Sequence, residues 1–254
     1  MTYSEKLQAR IAASGSMLCI GIDPRPDQID GDLEAFVRNL VEQTAEFAAA
    51  FKPNIAYFEA LGSAGYAILE RLLEDIPEDI PVILDAKRGD IGATQEYYAK
   101  AYFEALSGVD AVTISPYMGF DSVAPMLGYP GKAVYLLGVT SNPSATDIEL
   151  QRLADGRQVF ELVAQMRGAA DDHEGEVGFV VGLTNAEAEV LAKIPDAPLL
   201  IPGLGAQGGD LQLLSKADRK GPVVINVSRG VMFGEGTSAD RAKGFRDQIG
   251  AAIG

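Results

Sequence analysis

The chain has 254 residues, with 21 basic and 36 acidic side chains, a formal net charge of −15, one cysteine, one histidine and no tryptophan. One cysteine excludes an internal disulfide, one Cys with one His excludes an ordinary zinc site, and a nucleophilic triad would have to run through His173. The acidic balance argues against binding nucleic acid, no apolar run approaches the roughly 18–20 residues of a membrane span, and Met1–Gly15 lacks the apolar core of a signal peptide, so a cytoplasmic globular protein is expected.

Short apolar runs alternate with stretches of helical period along the whole chain. A helix at about 3–13 precedes the first run, Leu18–Asp23. Leu33–Ala50 places apolar residues at 33, 36, 37, 40, 41, 45, 47 and 48, close to one helical face. The run Phe51–Ile55, the helix Gly65–Ile76, the run Val82–Asp85 and the helix Ala93–Leu106 follow. Next come the run Ala111–Ser115, a weaker helix at Asp121–Leu127, the run Ala133–Val139 and a long polar loop, Ser141–Gly156. The helix Gln158–Ala170 leads to the run Val177–Leu183, and Asn185 reads as the N-cap of a helix over Ala186–Ile194. The run Leu199–Gly203, a short helix Asp210–Lys216 capped by Asp210, the run Val223–Val227 and the helix Asp240–Ile253 complete the chain.

Runs this short and this continuously apolar fit strands buried on both faces of a parallel sheet. Eight of them, each followed by a helix, predict a (β/α)₈ TIM barrel spanning residues 1–254 as a single domain with an extra N-terminal helix. A doubly wound open sheet is the alternative.

In such a barrel the site lies at the C-terminal ends of the strands. The first three strand ends deliver Asp23, Lys52, Asp85 and Lys87 to that rim. Asp85 and Lys87 are two apart, which on a regular strand points both into the mouth. Alternating Lys and Asp neutralise one another's burial cost and can hold a proton-donating ammonium beside a carboxylate. A network that merely ties strand ends together is the competing reading. The segment 202–210 has glycines at 203, 205, 208 and 209. It follows the seventh strand, where these barrels commonly bind phosphate, and Arg229 ends the eighth.

The segment Leu84-Asp85-Ala86-Lys87-Arg88-Gly89-Asp90-Ile91-Gly92 resembles the Asp-x-Lys-x-x-Asp signature of the orotidine 5′-phosphate decarboxylase family. Gly21–Pro24, Phe51–Asn54, the loop Gly205-Ala206-Gln207-Gly208-Gly209-Asp210 and Ser228-Arg229-Gly230 extend the resemblance across residues 21–230, and Phe51–Asn54 with Asp85–Asp90 resembles the longer bacterial branch in particular. The resemblance implies loss of CO₂ from orotidine 5′-monophosphate to give UMP, with no metal and no organic cofactor, on a barrel that works as a homodimer. It implies Lys87 as proton donor to C6, Asp85 against the substrate carboxylate, and Asp23 and Lys52 at the ribose hydroxyls. Asp90 and Thr94 would serve the partner's site, with Ile91 beside them as a further substrate contact. Ser141, with Thr140 or Ser144 as alternatives, would bond the pyrimidine. Gln207 and Arg229 would hold the phosphate under a lid formed by residues 203–209, which begins at Gly203, and Ser228 would be a further substrate contact.

Hexulose-phosphate synthases and ketogulonate-phosphate decarboxylases, which depend on a metal, share the signature. Lys52 argues against them, because an acidic residue would be expected at that strand end. A non-enzymatic phosphoribosyl binder is the remaining alternative. His173, in the acidic loop Asp171–Gly175, reads as an ordinary exposed side chain, and Cys19 as a small buried one. Tyr97, Tyr98, Tyr102 and Phe103 read as helix packing or dimer interface.

Overall fold

A computed structural model describes residues 1–203, 211–216 and 219–253. Its elements are α1 (Tyr3–Ser14), β1 (Leu18–Ile22), α2 (Leu33–Thr44), β2 (Ala50–Pro53), α3 (Ile55–Glu59), α4 (Gly62–Asp75), β3 (Ile83–Arg88), α5 (Gly92–Lys100) and β4 (Ala111–Ile114). There follow β5 (Ala133–Val139), α6 (Val159–Ala169), β6 (Glu176–Val181), α7 (Ala188–Lys193), β7 (Leu199–Pro202), α8 (Gln212–Lys216), β8 (Val223–Val227), α9 (Arg229–Met232) and α10 (Ser238–Ile253). The strands pair in parallel in the order β2-β1-β8-β7-β6-β5-β4-β3. Parallel bridges from Phe51 to Val82 and from Asn54 to Asp85 join the two outer strands, so the sheet closes into the expected (β/α)₈ barrel rather than an open sheet.

The strands read as unbroken apolar runs because both faces are buried, yet the two faces differ. Leu18, Ile20, Ile22, Val112, Ile114, Val134 and Leu136 point outward into the large core between sheet and helices. Cys19, Ala50, Ile83, Ala111, Ala133, Tyr135, Leu200 and Val224 point inward. Small side chains leave room inside, and α1 fills it from below: Tyr3 is fully buried and its hydroxyl lies 3.0 Å from that of Tyr135. Thr2 and Glu5 start α1 with a reciprocal capping box, and Gly15 ends it in the left-handed region at φ 58°. Burial pushes the Cys19 thiol up to about 12.

Several elements depart from the periodicity. The helix expected over Leu33–Ala50 stops at Thr44, whose hydroxyl bonds back to the Leu40 carbonyl at 2.7 Å, and a 3₁₀ turn (Ala45–Phe47) leads into β2. Ile55, expected in the second strand, opens α3, because the Asn54 side-chain oxygen accepts from the Ala56 N–H and caps the helix. The helix expected at Asp121–Leu127 is two 3₁₀ turns, the second carrying Pro125 in its first turn. Asn185 caps no helix: α7 begins at Ala188, and the Asn185 amide turns instead to the loop after β5. Asp210, the other expected cap, lies outside the described residues.

Candidate active site

Moving up the inner face, the lining changes from apolar to polar. Above Cys19, Ala50, Ile83, Ala111 and Val224 come Asp23, Lys52, Asp85, Thr113 and Asn226. They form one wall of a cavity of about 1130 Å³ at the C-terminal ends of the strands. Asp85 sits at the centre. Its Oδ2 accepts from the Lys52 ammonium at 2.6 Å and its Oδ1 accepts from Lys87. Both Lys52 and Asp85 are buried, whereas half of the Lys87 side chain faces the cavity and solvent.

Burial alone would raise the Asp85 carboxyl, but the Lys52 and Lys87 ammoniums outweigh it and hold the group well below the usual carboxylate range. Burial likewise opposes charge on Lys52, and Asp85 with Asp23 more than offsets it, so Lys52 is raised. The two shifts describe one coupled unit that stays ionised.

The sequence spacing puts Lys87 beside Asp85 for a different reason from the one regular alternation suggests. Two residues of β4, Val112 and Ile114, face Leu84 and Arg88 of β3, so β3 bulges between them. Lys87 has φ 48°, the only positive φ of a non-glycine among the described residues. A left-handed lysine costs on the order of 1–3 kcal/mol and is held only by its surroundings. Arg88 then points outward, its Nε donating to the Tyr102 hydroxyl at 2.8 Å and its guanidinium pairing with Glu59.

The rest of the cavity presents groups with capacity to spare. Asp23 Oδ1 and Asn226 Oδ1 are buried without a hydrogen-bond partner. Ser228 lies so close to β1 that a Cβ on Gly21 would meet its Oγ at 2.0 Å, which requires glycine there. Thr140 is engaged: its N–H and hydroxyl both reach the Glu149 carboxylate at 2.7 Å. Asn185 donates to the carbonyls of Thr140 and Asn142 at 2.8 Å each. These bonds fix the turn from both sides and leave Ser141 lining the cavity, packed where Gly182 has no Cβ. Ser144 also lines it, farther along the loop. Gly203, at φ 87°, and the exposed Arg229 also line the cavity, just past the ends of β7 and β8. Gln207 lies outside the described residues.

Asp90, Ile91 and Thr94 do not line the cavity of their own chain. Ile91 and Thr94 are exposed at the start of α5. Asp90 is set there by its own loop: its carboxylate accepts from the Ile91 N–H at 2.8 Å, and its N–H donates to buried Gln95 at 3.2 Å. Nearby Tyr97 and Tyr117 are exposed, while Tyr98 stacks on buried Tyr102. His173 is exposed, its ring against Phe120, and is not among the residues that line the cavity.

Sequence reasoning passed over Thr113 because it lies inside an apolar run. The inward period of two, Ala111-x-Thr113, was the available signal. Asn226, two before Ser228 on the same face, carried the same signal.

A family model described as "Orotidine 5′-phosphate decarboxylase / HUMPS family" matches residues 16–242. The chain is 43% identical to the orotidine 5′-phosphate decarboxylase of Cupriavidus metallidurans over 96% of its own length and 92% of that protein. Among solved structures, the Leishmania donovani OMP decarboxylase superposes with a TM-score of 0.87 at 38% identity, covering 100% of this chain and 99% of that one. The Leishmania donovani UMP synthase superposes with a TM-score of 0.89 at 40% identity. That match covers 99% of this chain, which spans 56% of that longer one.

Proposed function

The chain belongs to the orotidine 5′-phosphate decarboxylase / HUMPS family, and on that footing we propose that it is a carboxy-lyase that removes CO₂ from orotidine 5′-monophosphate to leave UMP. The observation that carries this reading is the Asp85 carboxylate held ionised between the Lys52 and Lys87 ammoniums, at the mouth of a cavity large enough for a nucleotide.

The chemistry follows from where charge disappears and where it appears. The substrate carboxylate would lie against Asp85, a like charge that cannot neutralise because Lys52 holds it ionised. As the C6–carboxylate bond breaks, the carboxylate becomes neutral CO₂ and that repulsion vanishes. The electron pair stays on C6, beside the Lys87 ammonium. Lys87 then gives up an N–H proton to form the new C6–H bond. Each interaction is better in the transition state than in the ground state, which is the condition for raising kcat.

Asp23 and Lys52 hold the ribose hydroxyls; the orphan Oδ1 of Asp23 is an acceptor ready for one. Ser141 bonds the pyrimidine: Thr140 is engaged with Glu149, and Ser144 comes later in the loop. Gly203, Gln207, Ser228 and Arg229 hold the phosphate. Asp90 and Thr94, with Ile91 beside them, reach the site of a second copy in a homodimer, in keeping with their exposure away from their own cavity. The proton and the field both come from side chains, so neither a metal nor an organic cofactor has a role.

The test is the fall in ultraviolet absorbance as orotidine monophosphate is converted by the purified chain, with and without a chelator. Equal rates with UMP as product are expected. An absence of CO₂ release, or turnover that depends on an added divalent ion, would overturn the reading.

A further inference from the structure

Thr113 makes an unusual use of one hydroxyl. It is 1% exposed on the inner face of β4, and its Oγ1 accepts from two consecutive backbone amides, Ala86 N at 3.0 Å and Lys87 N at 2.9 Å. The same oxygen donates to Asp85 Oδ1 at 3.1 Å. A hydroxyl has one proton and two lone pairs, so all its capacity is spent here. The two amides it receives belong to the bulge of β3, where the regular ladder supplies no partner. The proton it gives goes to the same carboxylate oxygen that meets Lys87.

One atom of β4 therefore joins three things that would otherwise vary separately: the left-handed backbone of Lys87, the bulge that creates it and the rotation of the Asp85 carboxylate. We infer that Thr113 is the positioning residue of the charge array, its hydroxyl clamping the Ala86–Lys87 backbone to the Asp85 carboxylate so that the Lys87 ammonium is aimed at the reacting carbon. Thr113 need not touch the substrate. It acts through Lys87, so its removal should appear in the chemical step and not in ligand affinity. The inference rests on Lys87 being the proton donor.

Thr113→Val keeps the shape and removes the hydroxyl; Thr113→Ser keeps the hydroxyl. With the unsubstituted chain active, Thr113→Val is expected to lower kcat by about 10²-fold, the scale of a misplacement near 1 Å, with KM and UMP affinity within about threefold. Thr113→Ser should return kcat to within about fivefold of the unsubstituted chain. A Thr113→Val kcat within threefold of the original, or equal losses for Val and Ser, overturns the inference. If the Val chain does not fold, Thr113→Cys, a weaker donor and acceptor of similar size, is read by the same criteria. A crystal structure of the Thr113→Val or Thr113→Cys chain tests the clamp without any turnover. Departure of Lys87 from the left-handed region supports it and an unmoved Lys87 backbone refutes it, so this arm stands even if the decarboxylase reading fails.

Discussion

At the scale of single residues, the site is a chain of charges, Asp23, Lys52, Asp85 and Lys87, in which each ammonium has a carboxylate beside it. Lys87 is the exposed end of that chain, and its role is the easiest to isolate. Lys87→Ala should reduce kcat more than about 10³-fold, in the range for loss of a general acid, while isothermal titration still finds UMP binding. Near-normal turnover would remove Lys87 from the reaction. The pH behaviour follows from the two buried partners. Asp85 is lowered, so the stability and function of its ionised form are complete above the ordinary carboxylate value near 3.9 and fade only as pH falls through its lowered folded value. Lys52 is raised, so its charged form is complete below about 10.4 and fades as pH rises through its folded value. Neither group should place a limb in a kcat profile between about pH 5 and 9. Lys52→Met removes the main support of the buried carboxylate, and the acid limb should move up towards neutrality. An acid limb that stays in place would show that Lys52 does not hold Asp85 ionised.

At the scale of elements, the site depends on close approaches that only certain residues permit. The β5 loop is clamped by Glu149 and Asn185, and it rests on Gly182, where a Cβ would meet Ser141 Cα and N at 2.7 Å. Gly182→Ala must therefore push Ser141 out of place. The expected result is a KM raised roughly tenfold with a smaller change in kcat, and a stability loss of about 1–3 kcal/mol from overpacking. An unchanged KM would take Ser141 out of the substrate contacts. These approaches also explain what could be read from the sequence. Continuous apolar runs flanked by helical periods mark eight strands well, because burial on both faces leaves one signal in each. Ala133–Val139 and Val223–Val227 were legible to the residue. The bulge at Lys87 was not, since Asp85-x-Lys87 looks the same whether the strand is regular or bulged; the difference lies in β4, in Thr113. Asn185 misled because an Asn before an Ala-Glu repeat has the chemistry of a cap, and only tertiary contact assigns its amide to the Thr140 and Asn142 carbonyls instead.

At the scale of the whole molecule, the two ends of the barrel do different work. The lower end is held by α1: Asp110 accepts from the Lys6 ammonium at 2.8 Å through both oxygens and from the Val82 N–H at 2.9 Å. Asp110→Ala strands a partly buried ammonium and a strand-end amide. It should cost about 3 kcal/mol and lower Tm by roughly 6–12 °C, with kcat at 25 °C unchanged. A fall in kcat would mean that the two ends are coupled. The upper end, on the homodimer proposed above, is completed by a second copy. Mixing inactive Lys87→Ala and Asp90→Ala chains should then restore activity at about a quarter of the sites, since half the random pairs are mixed and each has one intact site. No recovery after subunit exchange would place Asp90 outside the partner's site.

Cys19 lies on the inner face below this machinery, fully buried and with its thiol pushed up to about 12. It is the only cysteine in the chain and should be inert to alkylating reagents. The protein is thus already a cysteine-light background for spectroscopy. A cysteine introduced at an exposed position beside the cavity, such as Ser144, would be the single reactive thiol, and a fluorophore or spin label attached there could follow ligand entry without first rebuilding the core.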